Sequence, residues 1–382
     1  MPAPPTERRI DLDWLRVLAT FAVLFFHCGR FLDDEGWHVK NPETSVGISV
    51  LVQFIVIWLM PIFFVVSGQS VHYLLRGASN AKYLVTRVTR LLVPFGFGVL
   101  VLIPPQVYAE RASHGQWSGS FLAFLPRYFD GWYGFGGNFA WMGLHLWYLG
   151  VLLIFSLAAL PLFRFLLRRA SRSDRLGGFS QRPAAALLLG LALVAAELLV
   201  DLSPGGIGRR DFGGWSLLVY LVLFLLGFLI ARSERLQTAV VRARGAALGI
   251  ALVVTAVLAV LSYVPPARAL VDGHWYWVRG LLRLTACWAF MVAFLGFARV
   301  HLGRTSRFLA YASEAVLPFY MLHQTVIVLL AFGLIGWAAG PWVKYLVLIA
   351  GSFLAIMIGY EVIRRVGLLR LIFGMKRSSA PH

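Results

Sequence analysis

Apolar residues run along this chain in blocks of about twenty or more, parted by short polar or basic stretches. A helix on a soluble core would show a narrower stripe, three or four apolar positions in every two turns. Blocks of this length match the hydrocarbon thickness of a bilayer, roughly 30 Å. They predict helices near residues 12–32, 46–75, 84–108, 142–166, 184–201, 214–231, 244–264, 274–298, 308–332 and 338–366. The expected fold class is an all-α integral membrane protein, a polytopic bundle of about ten spans with the lipid bilayer as its first partner.

Composition agrees, with 59% hydrophobic and 14% charged residues. The net charge of +18 would suit nucleic acid in a soluble chain, but its distribution explains it otherwise. Cytoplasmic loops carry excess Lys and Arg. One set of connections holds Arg8 and Arg9; Arg76, Lys82, Arg87 and Arg90; Arg164, Arg168, Arg169, Arg172, Arg175 and Arg182; Arg232, Arg235, Arg242 and Arg244; Arg299, Arg304 and Arg307; and the tail from Arg364 to Arg377. The alternate set holds Lys40, Arg111, Arg127, Arg209, Arg210 and Arg268. The alternation predicts an even number of spans, both termini cytoplasmic, and no nucleic-acid partner. The first apolar block contains Arg16 and lacks a small-residue cleavage site after it, so it is expected to stay as a signal anchor.

The expected organisation is one membrane domain over 1–382, with a cytoplasmic tail at 1–11, a long outer loop at 109–141 and a second cytoplasmic tail at 367–382. The outer loop is rich in aromatic residues, among them Trp117, Trp132, Tyr133 and Phe135, broken by Gly131, Gly134, Gly136 and Gly137. Such a loop suits sugar rings or an interfacial aromatic belt. Cys28 and Cys287 both fall within spans, without ligand spacing to a histidine, so neither a disulfide nor a metal site is expected.

The candidate chemistry begins with Arg16 and His27, eleven positions apart on the first span. Eleven residues return a helix to within roughly 20° of its start and climb roughly 16 Å, so both side chains share a face. A histidine in apolar surroundings is held as the neutral imidazole, which can take a proton from an incoming hydroxyl; a contact to a neighbouring helix is the structural alternative. Arg87 and Arg90, three apart, form a fork suited to phosphate or carboxylate, although positive-inside charge also places arginines there. Arg279 and Arg283 stand four apart in the eighth span, where they either grip a donor carboxylate or pair with Glu197 and Asp201. Arg30 and Gln69 are candidates for oxyanion or substrate contacts. Trp37 and His38 are placed to meet an acceptor, and His145, Trp147 and His323 to line a cavity or hold a helix contact. The run of Ser67, Gly68 and Gln69 after Pro61 predicts close helix approach or an unwound turn.

Arg16 with His27, then Phe63 to Gly68, then Arg87 with Arg90, and a late run from Tyr320 to His323 resemble the membrane acyltransferase-three family. Within it, Trp37 to Val39, Pro105 with Gln106, His145 to Leu149, Tyr360 with Glu361, and Leu368 to Phe373 are similar to the branch that succinylates periplasmic glucans. The likeness runs from about residue 10 to 376 in the same order. It implies an O-acyltransferase of the bacterial inner membrane. Its expected co-substrate is acyl-CoA, succinyl-CoA or acetyl-CoA, with no tightly bound cofactor, and its acceptor is a glycan hydroxyl. By this resemblance His27 is the catalytic base or relay with Arg16 as its partner, and Arg87 and Arg90 meet the donor's phosphates. Many members carry an acidic residue a few positions after the tryptophan of span four, whereas here Trp147 to Val151 continues apolar. The competing class is a transporter or flippase, though no matching half-repeats are visible. The oligomeric state is left open, a homodimer included.

Overall fold

The structure, a computed structural model, describes residues 9–169, 181–201, 213–272 and 276–375. Arg8, Arg172, Arg175, Arg209, Arg210 and Arg377 lie outside the described residues, as does the side chain of Asp201. Every predicted apolar block coincides with a helix: α1 (Ile10–Arg30), α2 (Val46–Gly77), α3 (Asn80–Ser113), α4 (Leu144–Ala158), α5 (Leu160–Arg168), α6 (Pro183–Val200), α7 (Leu217–Arg232), α8 (Glu234–Tyr263), α9 (Trp277–His301), α10 (Arg307–Leu334) and α11 (Pro341–Arg365). No β-strand occurs among the described residues, only an isolated bridge between Trp132 and Phe139.

Eight of these helices are long and apolar enough to cross a bilayer, or nine if α4 and α5 form one span bent by 47°. Pro161 explains the bend, because it opens α5 without a backbone N–H to continue the ladder of α4. Among the described residues one of the ten expected spans is short: α7, the sixth in order, has 16 residues against the roughly twenty a bilayer needs. α3 continues to Ser113, into the stretch read from the sequence as a loop from residue 109.

The chain divides into two compact units, Met1–Ala19 with Gln53–Asn80 and Ala158–Leu309, and Thr20–Val52 with Ala81–Leu157 and Ala310–His382. In the first unit, α2 and α7 touch backbone to backbone. A Cβ on Gly68 would lie 1.9 Å from the Phe224 carbonyl oxygen, and one on Gly227 would lie 2.1 Å from that of Val65. Lipid-facing helices gain little from burying apolar surface, so close backbone contact through small residues supplies the packing instead. The expected close approach at Gly68 is met by a continuous helix, not an unwound turn. A second small-residue seam on α8, Ala239, Ala243, Ala247 and Ala251 at four-residue steps, is fully buried. Phe163 and Phe228 stack at 3.9 Å between centroids. Cys28 and Cys287 are free thiols, both buried.

In the second unit, α3 is not a regular helix. Val88–Leu92 and Gly98–Leu102 form π-turns just before or around prolines. Pro94, Pro104 and Pro105 cannot donate to the ladder, and the wider turns re-register the chain around them. A core of Leu24, Phe31, Ile48, Phe319, Tyr345 and Ile356 holds α1, α10 and α11 together, with the start of α2 against them.

Gly68→Val is expected to lower thermal stability in detergent by about 1–3 kcal/mol through overpacking. Gly249→Ala, whose added methyl meets nothing within 4 Å, is expected to leave it unchanged or raise it; equal melting shifts for the two would contradict the backbone-contact account.

Candidate functional site

The site is built at the end of α1. Gly29 lets α2 come close, since a Cβ there would lie 2.6 Å from Val52. Beyond Arg30 the chain turns into a loop, residues 31–45, that is tied by charge. Arg30 reaches Asp33 at 2.5 Å, Glu35 at 2.7 Å and the Gly36 carbonyl at 2.6 Å. Lys40 donates to the Asp33 carboxylate at 2.7 Å and to the carbonyls of Asp33 and Arg30 at 2.6 and 2.8 Å. Asp33 is 1% exposed, so one buried carboxylate serves two cations. Buried Lys344 donates to Asn41 at 2.7 Å and pins the far end of the loop to α11.

The rigid loop presents Trp37 and His38. The Trp37 ring lies 6.2 Å from the His27 ring and 5.6 Å from that of His38. The Nδ1 of His38 is hydrogen-bonded to Glu110, whose other contacts are Tyr133, donating at 2.7 Å, and Arg111 at 3.4 Å. A carboxylate only accepts, so the proton of neutral His38 sits on Nδ1. Its Nε2 accepts from the Gln324 amide at 3.0 Å. Burial and the Glu110 carboxylate raise the Tyr133 phenol above its usual range, which keeps it a donor at physiological pH.

The polar chain continues inward. Gln324 donates to Gln106 at 3.1 Å, and Gln106 donates to Thr325 at 2.7 Å. His145 lies 3.5 Å from the Gln106 amide and donates through Nε2 to the Met321 carbonyl at 3.0 Å. Positive φ at Gly143 and at Leu144, 83° and 42°, precedes it; for leucine this is a strained backbone that turns the chain into α4. Tyr320 donates to the His145 carbonyl. His323, with no exposed surface, donates through Nδ1 to the Tyr320 carbonyl at 2.6 Å. Its ring lies 4.9 Å from His27 and 5.0 Å from His145. His27 is half-buried, and its Nδ1 is enclosed without a hydrogen-bond partner.

Of the residues singled out from sequence, His27, Trp37, His38, His145 and His323 come together here, with Arg30 in the adjoining loop. Trp147 opens the regular part of α4, two residues past His145. Arg87 and Arg90 lie in the same unit, Arg87 just before and Arg90 within the first π-turn of α3. Arg87 covers the Tyr83 ring at 5.1 Å with its Nε unpaired, and Arg90 donates to the Gly374 carbonyl at 3.3 Å. Their three-residue spacing spans a π-turn, so they do not stack as in a regular α-turn. Arg16, Gln69, Arg279 and Arg283 belong to the other unit. There Arg16 is paired with Asp13 at 2.8 Å and with Ser70, and Gln69 is buried. Arg279 donates to the Leu261 carbonyl at 3.1 Å, and Arg283 lies 4.6 Å from the Trp215 ring.

Sequence reasoning passed over Glu110, gave Gln324 and Thr325 only as neighbours of His323, and took Tyr133 as one aromatic among many. The signal was present: an amide or carboxylate within or ending an apolar span needs a partner at depth. Among the described residues no group of three or more potential ligands could hold a metal ion.

The cluster gathers four imidazoles, a carboxylate and two amides among long apolar helices. The chain belongs to the membrane acyltransferase-three family, whose acyltransferase domain matches residues 9–361. It is an acyltransferase and a multi-pass membrane protein, which answers the transporter alternative. It is similar to glucans biosynthesis protein C of Escherichia coli O17:K52:H18, 25% identical over 385 residues covering 97% of this chain and 96% of the relative. The same protein of Escherichia coli K12 is 25% identical over 387 residues with the same coverage. No solved structure matches the chain.

Removing Asp33 leaves Arg30 and Lys40 without their shared counter-charge, a loss of about 3 kcal/mol for a buried pair. Asp33→Ala is expected to speed hydrogen–deuterium exchange across residues 31–45. Glu35→Ala, which removes a carboxylate with 54% side-chain exposure, should change exchange little; the reverse order would break the assignment of Asp33 as the anchor.

Proposed function

We propose that this protein transfers a short acyl group, succinyl or acetyl, from cytoplasmic acyl-CoA to a hydroxyl of a periplasmic or extracellular glycan, a glucan first of all. It would act in the bacterial inner membrane with both termini cytoplasmic. The observation that carries the reading is half-buried His27, its ring beside those of Trp37 and His323, with the His38–Glu110 pair next to Trp37. A neutral imidazole there can take the proton of an acceptor hydroxyl while the hydroxyl oxygen attacks the thioester carbonyl. The carbon–sulfur bond then breaks, and the coenzyme A thiolate leaves and receives the proton from His27. Direct transfer is preferred, and a transient acyl-imidazole on His27 is the lesser variant.

Arg87 and Arg90 are assigned to the phosphates of the donor, because guanidinium groups pair bidentately with phosphate and the unpaired Nε of Arg87 is one donor to spare. Arg16, held by Asp13 and Ser70, anchors the cytoplasmic end of the helix that carries His27. Trp37 and His38 are assigned to the acceptor, Trp37 offering a flat apolar face to a sugar ring and His38 a polar edge beside it. Glucans biosynthesis protein C, as the name of relatives similar over almost the whole chain, supports a glucan acceptor.

The test uses purified protein in lipid with radiolabelled acetyl-CoA and succinyl-CoA, and extracted periplasmic glycan as acceptor. Label is expected in the glycan, and His27→Ala is expected to lower the rate by about 10²-fold or more. Transfer that survives in the variant removes His27 from the mechanism. No transfer from either donor by folded protein overturns the donor assignment.

A further inference from the structure

We propose that His323 is the positioning residue of His27: its Nε2 accepts the Nδ1–H of His27 and so leaves the His27 Nε2 lone pair facing the substrate. The inference rests on His27 as the reacting imidazole of the proposed function and adds the group that sets its tautomer.

Three observations carry it. The Nδ1 of His323 lies 2.6 Å from the Tyr320 carbonyl oxygen, which can only accept, so the proton of neutral His323 is on Nδ1 and Nε2 is a bare lone pair. That lone pair is enclosed, without a hydrogen-bond partner, on a side chain with no exposed surface. His27 presents the complementary defect, since its Nδ1 is also enclosed and unpaired on a residue that is half-buried overall. The two rings stand 4.9 Å apart between centroids with their planes at 43°. The bond is not made in this structure; a turn of the two rings that brings nitrogen to nitrogen at this separation makes it.

An unsatisfied buried polar atom costs free energy, and two of them on neighbouring rings are each relieved by one shared proton. Only one arrangement relieves both: His27 donates from Nδ1, because His323 Nε2 has no proton to give. The alternative partners of the ring leave this arrangement intact. His145 holds its own proton on Nε2 against the Met321 carbonyl, and His38 holds its proton on Nδ1 against Glu110. Fixing the tautomer of a base through its far nitrogen is the service a carboxylate performs in hydrolytic triads. Here a second imidazole, itself oriented by a peptide carbonyl, does so without placing a further charge at membrane depth. It also fits a fourth helix that continues apolar after Trp147.

The tautomer is measured on the full chain in lipid nanodiscs with ¹⁵N-labelled histidine, assigning His27 by comparison with His27→Gln. The expected result is a protonated Nδ1 and an unprotonated Nε2 on His27, with population moving to the other tautomer in His323→Leu. A wild-type His27 protonated on Nε2, or a tautomer unmoved by His323→Leu, overturns the proposal. In the acyl-transfer assay, His323→Leu is expected to lower kcat by about 10²-fold with KM for donor and acceptor little changed. His323→Asn, whose amide oxygen can still accept from His27, is expected to restore at least a tenth of the lost rate. Equal kcat in the two variants overturns the proposal. A wild-type protein that moves no acyl group defeats the proposed function, and the tautomer measurement still decides this one.

Discussion

Polar groups placed inside an apolar bundle have to satisfy one another, and the rest of this structure follows from that constraint. Water is not at hand to pair an amide or imidazole at membrane depth, so each one needs a protein partner. The chain answers with a continuous relay: Glu110 to His38, His38 to Gln324, Gln324 to Gln106, Gln106 to Thr325, with His145 and His323 each tied to a backbone carbonyl. What stays unpaired is then informative. The enclosed nitrogens of His27 and His323 stand out because their neighbours are so fully engaged.

The frame around the relay is rigid for reasons that differ from place to place. The loop after α1 carries no secondary structure of its own beyond turns, yet Asp33 between Arg30 and Lys40 gives it one conformation, with Trp37 and His38 on its inner side. The strained Gly143 and Leu144 turn delivers His145 at the start of α4. The π-turns of α3 absorb three prolines and still let one helix carry Arg87 and Arg90 near one end and Gln106 and Glu110 near the other. Irregular backbone is concentrated where the polar groups are, while the glycine and alanine seams of the other unit are regular.

Membership of the acyltransferase family gives the reaction class, and the geometry shows which side chains stand together. Arg30, open to an oxyanion role on sequence grounds, is engaged with two carboxylates and a carbonyl. Glu110 supplies a carboxylate to the cluster although none follows Trp147 in span four. It comes from the end of α3.

Sequence by itself determined the helices, since the length of each apolar block is set by bilayer thickness. It also determined the histidines, because an ionisable residue inside such a block is costly and therefore conspicuous. The eleven-residue step from Arg16 to His27 needs nothing more than helix geometry, and α1 is unbroken across it. Tertiary structure alone decided that His27, His38, His145 and His323 meet, because their contacts join α1, its loop, the turn into α4 and α10 across up to 296 positions of sequence. It alone singled out Glu110, which in the sequence is one more charge at a helix end, and it alone separated Arg279 and Arg283 into the other unit. Periodicity reports which face of a helix a residue occupies. Which helix that face meets is fixed by packing, and packing also decides which proton each imidazole holds.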